Sequence, residues 1–121
     1  MALVLQYKKS LTTQQRQGRF PFTVTETLMY EQAARWRRVQ LVGESWMIEV
    51  ASPGYKAQEP EEVDDWKPAG IIWQWEHLDR TDRPWRGKTT TDGLGEHRDY
   101  KLLAQAQGAL RQRVQSMLAR S

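Results

Sequence analysis

The sequence predicts an α+β fold, in which a small, curved, mainly antiparallel sheet or partly open barrel of four or five strands packs against a long C-terminal helix. Short segments up to residue 78 alternate apolar and polar residues with the period of a strand. Glycine and proline separate these segments, and residues 96–120 repeat apolar side chains at helical spacing. We expect one domain over residues 1–121, because about 100 to 150 residues is the commonest domain size. Its parts are a strand-rich region at 1–78, a loop at 79–95 and a helix at 96–120.

The first strands are expected before residue 28. Residues 2–7 alternate in the manner of a strand that is partly buried on both faces, and the polar stretch 14–18 predicts a loop or a single turn. Residues 20–25 alternate aromatic or β-branched side chains with threonine, which favours a second strand, and Pro21 suggests an edge position. Residues 25–39 fit either a helix or a strand, and we favour a short helix followed by a strand.

The middle of the chain predicts a hairpin and a further strand. Residues 39–42 and 46–50 flank Gly43-Glu44-Ser45, which is typical of a tight β-turn, and place Trp46 on the core side. The acidic, proline-containing stretch 55–69 predicts a loop. Residues 71–78 then predict a strand with its core side formed by Ile71, Trp73 and Trp75.

The C-terminal helix is predicted by an apolar stripe with the spacing of an α-helix. Gly108 interrupts it and suggests a close approach to another backbone, since glycine in a helix costs up to ~1 kcal/mol. We expect the stripe to pack on the sheet. Its members are Leu102, Leu103, Ala106, Ala109, Leu110, Val114, Met117 and Leu118.

Composition excludes several classes of protein. The chain has no cysteine, which excludes disulfides, zinc–thiolate sites and a thiol nucleophile, and which fits a reducing compartment. No apolar run approaches the ~20 residues of a membrane span, so we expect a soluble cytoplasmic protein without membrane insertion. The net charge of +3 conceals a basic, acidic, basic order along the chain. Its basic ends could track a phosphate backbone, although such blocks also pair with each other or face solvent.

Two short motifs resemble catalytic or cofactor sites but do not complete them. Gly87-Lys88-Thr89 resembles the end of a phosphate-binding P-loop, yet Asp82 stands where that motif needs its first glycine. The two histidines lie in Glu76-His77-Leu78-Asp79 and Glu96-His97-Arg98-Asp99, where helical spacing would put Glu96 and Asp99 on one face. If the two segments met, they could hold a metal or form an acid/base pair, but nothing in the sequence brings them together. We therefore predict no catalytic residue, metal or cofactor.

Arginine and tryptophan are interleaved at two places, Arg35-Trp36-Arg37-Arg38 and Arg83-Pro84-Trp85-Arg86-Gly87-Lys88. A tryptophan can stack on a base while arginines neutralise phosphates, which favours a non-catalytic protein that binds nucleic acid, and single strands in particular. The alternative for these clusters is structural: Trp36 faces the core, and Trp85 covers an apolar edge beside Pro84. The candidate nucleic-acid-binding residues are Arg35, Trp36, Arg37, Arg38, Arg83, Trp85, Arg86 and Lys88.

The position of Trp66 suggests a contact with a protein partner. This tryptophan lies among acidic residues in an expected loop, where burial within the domain does not easily explain it. Exposed tryptophans often anchor protein partners. The alternative function is therefore a small accessory or assembly subunit that docks onto a larger protein complex through Trp66, the acidic loop and the C-terminal helix. The candidate partner-binding residues are Trp66, Glu61, Glu62, Asp64 and Asp65. Oligomeric state is left open.

Overall fold

The computed structural model describes residues 3–41, 43–52, 63–74, 84–93 and 96–120. Within them, each of six strands pairs antiparallel with the next, so the order of strands in the sheet follows the chain. The sheet curls into a half-barrel, which confirms the α+β class, with six strands in place of four or five. The elements are β1 (Leu3–Gln17), β2 (Phe20–Leu41), β3 (Gly43–Ala51), β4 (Trp66–Gln74), β5 (Trp85–Thr89), β6 (Arg98–Tyr100) and α1 (Leu103–Arg120).

Helix α1 fills the concave face of the sheet. Ala106, Leu110 and Val114 are completely buried along one side of it, as the helical spacing predicts. Burial of a Leu or Val side chain contributes about 1.5–3 kcal/mol, so this stripe is a main source of stability. The sheet residues that complete this core are Leu5, Ala34, Ile48, Val50, Ala69, Ile72, Trp85 and Tyr100.

The helix begins later than expected. It starts at Leu103 and not at residue 96, because residues 98–100 form β6 beside β5. Leu102, which we placed in the buried stripe, precedes the helix and is 62% exposed. Among the described residues, no helix is long and apolar enough to cross a membrane.

The close approach between helix and sheet occurs at Gly70, and the expectation that it occurs at Gly108 is wrong. A Cβ atom at Gly70 would lie 3.1 Å from the Leu110 side chain and 3.1 Å from the Lys88 carbonyl oxygen. A Cβ at Gly108 would meet nothing within 4 Å. Leu110 can therefore reach the sheet because position 70 has no side chain.

Strand β2 replaces the helix that we favoured between residues 25 and 39. It runs unbroken for 22 residues and pairs with β1 along the whole length of that strand. Pairing with β1 gives the backbone N–H and C=O groups of β2 hydrogen-bond partners, and this outweighs the weak helical pattern of its side chains. The loop expected at 14–18 is also wrong, since β1 continues to Gln17. Only Gly18 and Arg19 form the turn, with Gly18 at the positive φ of 64° that a tight hairpin requires.

Strands β2 and β3 form the expected hairpin, but Gly43, Glu44 and Ser45 belong to β3 and are not its connection. The core side of β4 is opposite to the expected one. Gly43 has φ of 63° and pairs with Leu41 at the start of β3. In β4, Ile72 is fully buried because it pairs with Trp46 on the helix side of the sheet. Trp73 therefore lies on the other, convex face and is only half-buried. Trp75 lies outside the described residues.

Strand β5 lies within the region expected to be a loop at 79–95. Its residues pair with β4 on one side and with β6 on the other. We did not predict this strand because its buried side has only one large apolar residue, Trp85, together with Gly87 and Thr89. Residues 85–88 of the second Arg–Trp cluster, which we expected in a loop, therefore belong to a strand that is paired on both sides.

Candidate interaction surfaces

The first Arg–Trp cluster is divided between the two faces of the sheet. Because strand side chains alternate, Arg35 and Arg37 lie on the convex face, whereas Trp36 and Arg38 lie on the concave face. Trp36 is opposite Ile48 and packs against the core that α1 covers. The structural alternative that Trp36 faces the core agrees with this arrangement.

The second cluster is divided in the same way. Trp85 is only 8% exposed and belongs to the core beneath α1, so its ring offers no open face to a base. Arg86 and Lys88 point to the convex side, where Arg86 Nε donates to Asp99 Oδ1 at 2.8 Å. Arg83 lies outside the described residues.

Cations from both clusters nevertheless share the convex face. Register places Arg37 beside Met47, Met47 beside Ile71, and Ile71 beside Lys88 in one row across the sheet. Arg86 follows in the next row, beside the half-buried ring of Trp73. Glu49 and Asp99 accept ion pairs on this surface, so four cations and two carboxylates leave a net charge of +2. We call Arg35, Arg37, Arg86 and Lys88 the convex cationic face.

Trp66 joins this face and does not stand apart from the domain as we expected. Its ring packs against a small second core of Ala33, Ala51 and Val63. The guanidinium carbon of Arg35 lies 4.4 Å from the ring centroid. Nothing in the sequence indicates this contact, because 31 positions separate the two residues. Of the neighbouring acids, Asp64 and Asp65 are exposed, while Glu61 and Glu62 lie outside the described residues.

Glu49 holds the two convex arginines of β2 in place. Its carboxylate is only 7% exposed, and Oε1 accepts hydrogen bonds from Arg35 Nε and Arg37 Nε, each at 3.0 Å. A buried carboxylate without partners is costly, so these two donors are part of the fold as well as of the surface.

The histidine segments do not form a site among the described residues. Glu96 and Asp99 do not share a helical face, because Asp99 lies in β6 and binds Arg86 while Glu96 accepts from the Gly93 amide. His77 and Asp79 lie outside the described residues. Within the described part of the chain, no three His, Asp or Glu side chains come together as metal ligands.

A polar cavity of about 630 Å³ lies between α1 and the segment before β6, with His97 in its lining. Asp92 and Arg113 form an ion pair there, and Asp92 also accepts from the Thr89 amide at 2.8 Å. Burial alone would raise the pKa of Asp92, but the hydrogen bonds from Thr89 and the charge of Arg113 outweigh it and hold that pKa below its usual value. The ion pair ties α1 to the β5–β6 connection.

A second surface is formed by a long hairpin that we did not expect from the sequence. Strand β3 pairs with β2 only from Ala34 onward, so residues 8–31 form a two-stranded ribbon in which β1 and β2 pair only with each other. We call this ribbon the β-arm. At 3.4 Å per residue, its ten or so residue pairs extend roughly 30 Å from the body. Pro21 lies here without a third strand beside it, which agrees with the expected edge position.

One face of the β-arm carries five apolar side chains, each paired across the ribbon with a polar residue. Register places Leu11, Val24, Phe22, Phe20 and Leu28 on the same side, which continues the concave face of the body beyond α1. Phe20 is 78% exposed and Leu11 is 54% exposed. We call these five residues the apolar arm face. The opposite face is mainly polar, and in it Thr12 and Thr25 hydroxyls lie 3.3 Å apart.

A tyrosine pair fixes the root of the β-arm. The rings of Tyr7 and Tyr30 stack with centroids 5.7 Å apart. The Tyr7 hydroxyl donates to Gln32 Oε1 at 2.8 Å, and the Gln32 side-chain amide donates to the Ala51 carbonyl of β3. Burial raises the pKa of the Tyr7 hydroxyl, and the neighbouring Tyr30 makes a smaller contribution in the same direction. These contacts join the ribbon to the body.

The apolar arm face could have been suspected from the alternation of Phe20, Phe22 and Val24 with threonine, but that pattern does not tell a covered face from an open one. The described residues therefore form two candidate interaction surfaces, the apolar arm face and the convex cationic face. No protein family model, no curated protein and no solved structure matches this chain.

Proposed function

We propose that this chain is a non-catalytic assembly subunit, whose role is to bind another protein chain through the apolar arm face. The observation that carries the proposal is that four exposed apolar side chains and the half-buried Val24 lie on one side of a two-stranded ribbon. Contiguous exposed apolar patches on soluble proteins mark interaction sites. An isolated two-stranded hairpin is also marginally stable in water, so a partner that covers this face would stabilise the β-arm.

The chemistry of the arm favours a protein partner. Phenylalanine and leucine contribute burial and shape, which protein interfaces use at their centres. Trp66, in contrast, serves the fold through its contacts with Arg35 and the second core. The lack of cysteine is consistent with our placing the protein in the cytoplasm.

Site-specific photo-cross-linking in the native cell tests this proposal. A benzophenone amino acid replaces Phe22 on the apolar arm face, and a control variant carries it at Gln105, an exposed position of α1. We expect discrete protein adducts from position 22 and none of the same masses from position 105. The adducts should disappear when Leu11 and Leu28 are both changed to serine. If position 22 gives no adduct after irradiation, the arm does not bind a protein chain and the proposal fails.

A second candidate function, binding of single-stranded nucleic acid, is favoured by one observation. Arginine and lysine side chains from both predicted clusters lie on one face with the rings of Trp66 and Trp73 among them. Cations next to aromatic rings are the composition of single-strand-binding platforms. The net charge of only +2 on this surface predicts weak, strongly salt-sensitive binding.

Fluorescence titration with a single-stranded oligonucleotide at low and moderate salt tests this candidate. We expect tryptophan quenching that saturates, weakens with salt and is lost in the Arg37→Gln, Lys88→Gln double variant. Arg38→Gln provides the control, because Arg38 lies on the opposite face. Equal loss in the control, or no quenching at low salt, would remove the convex cationic face from consideration.

A further inference from the structure

We infer that the partner of the β-arm is an extended segment of a different protein, which binds as an added strand along the free edge of β2 between Thr23 and Met29. This inference rests on the proposed function, because it states how the partner of the same arm is held. The added strand takes the place beside the arm that β3 takes beside residues 34–41.

The edge of β2 in the β-arm has no partner among the described residues. Strand β1 lies along one side of β2 as far as Ala34, whereas β3 lies along the other side only from Ala34 onward. An edge strand presents a row of unpaired N–H and C=O groups, which is a template for pairing with another chain. Extended peptides bind proteins by adding a strand to such an edge.

The turn of the β-arm determines which backbone groups lie on this edge. Gln17 and Phe20 flank a two-residue turn, so they form a pair that exchanges both backbone hydrogen bonds. Because such pairs alternate along a ladder, every second residue of β2 points its N–H and C=O away from β1. Pro21, which has no N–H, belongs to this outward set, as an edge position requires. The outward residues that follow it are Thr23, Thr25, Thr27 and Met29.

Charged side chains protect the outer edge of β1 but not that of β2. Lys8 and Arg16 are outward residues of β1, and at its root Arg111 of α1 donates to the Val4 carbonyl oxygen at 2.8 Å. Natural proteins place lysine and other charges on edges that must stay unpaired. In contrast, β2 has no lysine or arginine from residue 20 to residue 34, and threonines that favour strands line its edge. This contrast indicates that β2, and not β1, receives the strand.

The side chains of β2 indicate the composition of the added strand. Of the apolar arm face, only Leu11 belongs to β1. A strand beside β2 therefore has Phe22, Val24 and Leu28 as its cross-strand neighbours, which favours apolar residues at every second position. Glu26 lies among them, is exposed and makes no ion pair with any described residue, which favours a lysine or arginine beside it. Pairing of two copies through β2 would supply no such base, so the segment comes from a different protein.

Proline substitutions on the two edges of one row provide a matched test. Thr12 and Thr25 are opposite each other in register, and each points its backbone N–H away from the other strand. Thr25→Pro removes an N–H from the edge of β2, Thr12→Pro removes the equivalent N–H from the edge of β1, and both lose the contact between the two hydroxyls. We expect the cross-linked adducts from position 22 to be lost in Thr25→Pro and to remain in Thr12→Pro. Circular dichroism establishes that both variants retain the sheet.

Amide hydrogen exchange of the wild-type protein gives a measurement that needs no substitution. The probe is a short synthetic peptide in which valine and threonine alternate, with lysine in place of the central valine. At saturating peptide, exchange of the outward amides of Thr23, Thr25, Thr27 and Met29 should slow at least about tenfold, because each gains a hydrogen bond. Exchange of the outward Thr12 and Gln14 amides on β1 should not change.

A charge reversal tests the position beside Glu26. The same peptide with glutamate in place of lysine should bind the wild type about two- to fivefold more weakly, since like charges on neighbouring strands are destabilising. In the Glu26→Lys variant the order of the two affinities should reverse. An unchanged order in this variant would contradict the composition that we assign to the added strand.

The outcomes separate this inference from the proposed function. Adducts that persist in Thr25→Pro, or that are lost equally in both folded proline variants, overturn the inference and leave the proposed function in place. Outward β2 amides that do not respond to any concentration of peptide, or that are already protected in the free protein, also overturn it. An adduct of twice the chain mass would mean that the partner is a second copy and not a different protein. Absence of adducts in the wild-type background removes the proposed function itself.

Discussion

Arg35 lies over the indole ring of Trp66, with its guanidinium carbon 4.4 Å from the ring centroid, and its Nε donates to Glu49 at 3.0 Å. A cation over a tryptophan face contributes about 0.5–1 kcal/mol where the pair is solvent-accessible. The contact joins β2 to the start of β4, two strands that do not pair directly. Two residues expected in separate binding sites therefore form one structural unit.

Replacing Glu49 with glutamine should lower the free energy of unfolding by about 1–3 kcal/mol, the usual cost of losing charged hydrogen-bond partners at a buried group. Two arginines would then share a neutral acceptor in place of a carboxylate that is 7% exposed. Urea unfolding followed by circular dichroism measures the change. The control, Asp65→Asn, removes an equivalent charge from an exposed position and should change stability by less than about 0.5 kcal/mol. Equal effects in both variants would contradict the structural role of Glu49.

The parts of the fold that the sequence predicts best are elements with one buried side and one exposed side. Trp46, Ile48 and Val50 share the core side of β3 as expected, and Ala106, Leu110 and Val114 face the sheet from α1. In both elements, burial on one side imposes the period that the sequence displays.

The candidate site was less predictable, because its geometry depends on pairing between distant segments. Neighbours such as Arg35 and Trp36 were grouped by sequence, yet strand alternation sends them to opposite faces. Residues 25–39 fitted a helix as well as a strand, because Leu28 and Met29 are apolar although both are exposed in the structure. Which face of a strand remains open depends on how far its neighbours extend, and the sequence does not state that.

The two glycines near α1 should respond to alanine in opposite directions. Gly70→Ala places a methyl group 3.1 Å from both Leu110 and the Lys88 carbonyl oxygen, and overpacking of this kind costs about 1–3 kcal/mol. Gly108→Ala adds a methyl group in open space on an exposed helical position, and should stabilise the protein by about 0.5–1 kcal/mol. Thermal unfolding of the two variants and the wild type in the same buffer shows whether each substitution raises or lowers the stability. A stabilising Gly70→Ala would contradict the close packing of α1 on β4.

Asp92 should contribute stability that disappears in acid. Its pKa is lower in the folded protein than in the unfolded chain, so its contribution is fully present above the unfolded pKa of about 3.9 and is lost as pH falls through the folded pKa. Asp92→Asn should therefore cost about 1–3 kcal/mol at neutral pH and progressively less below pH ~4. Urea unfolding of both proteins across this range measures the difference. A cost that is independent of pH would mean that the charge of Asp92 does not matter to its contacts with Thr89 and Arg113.

Trp85 should behave as a core residue and not as a binding residue. Trp85→Ala should lower the free energy of unfolding by about 3–5 kcal/mol, because it removes a large ring that is 8% exposed beneath α1. Trp73→Ala, at a half-buried position on the convex face of the neighbouring strand, should cost less. Urea unfolding measures both, and acrylamide quenching of variants that retain one of the two rings compares their access to solvent. A stable Trp85→Ala protein would contradict the burial of this ring. Such a stable Trp85→Ala protein could then be tested for binding of a single-stranded oligonucleotide, beside Trp73→Ala. If Trp85→Ala does not bind and Trp73→Ala does, the nucleic acid stacks on Trp85 and does not bind through the convex cationic face.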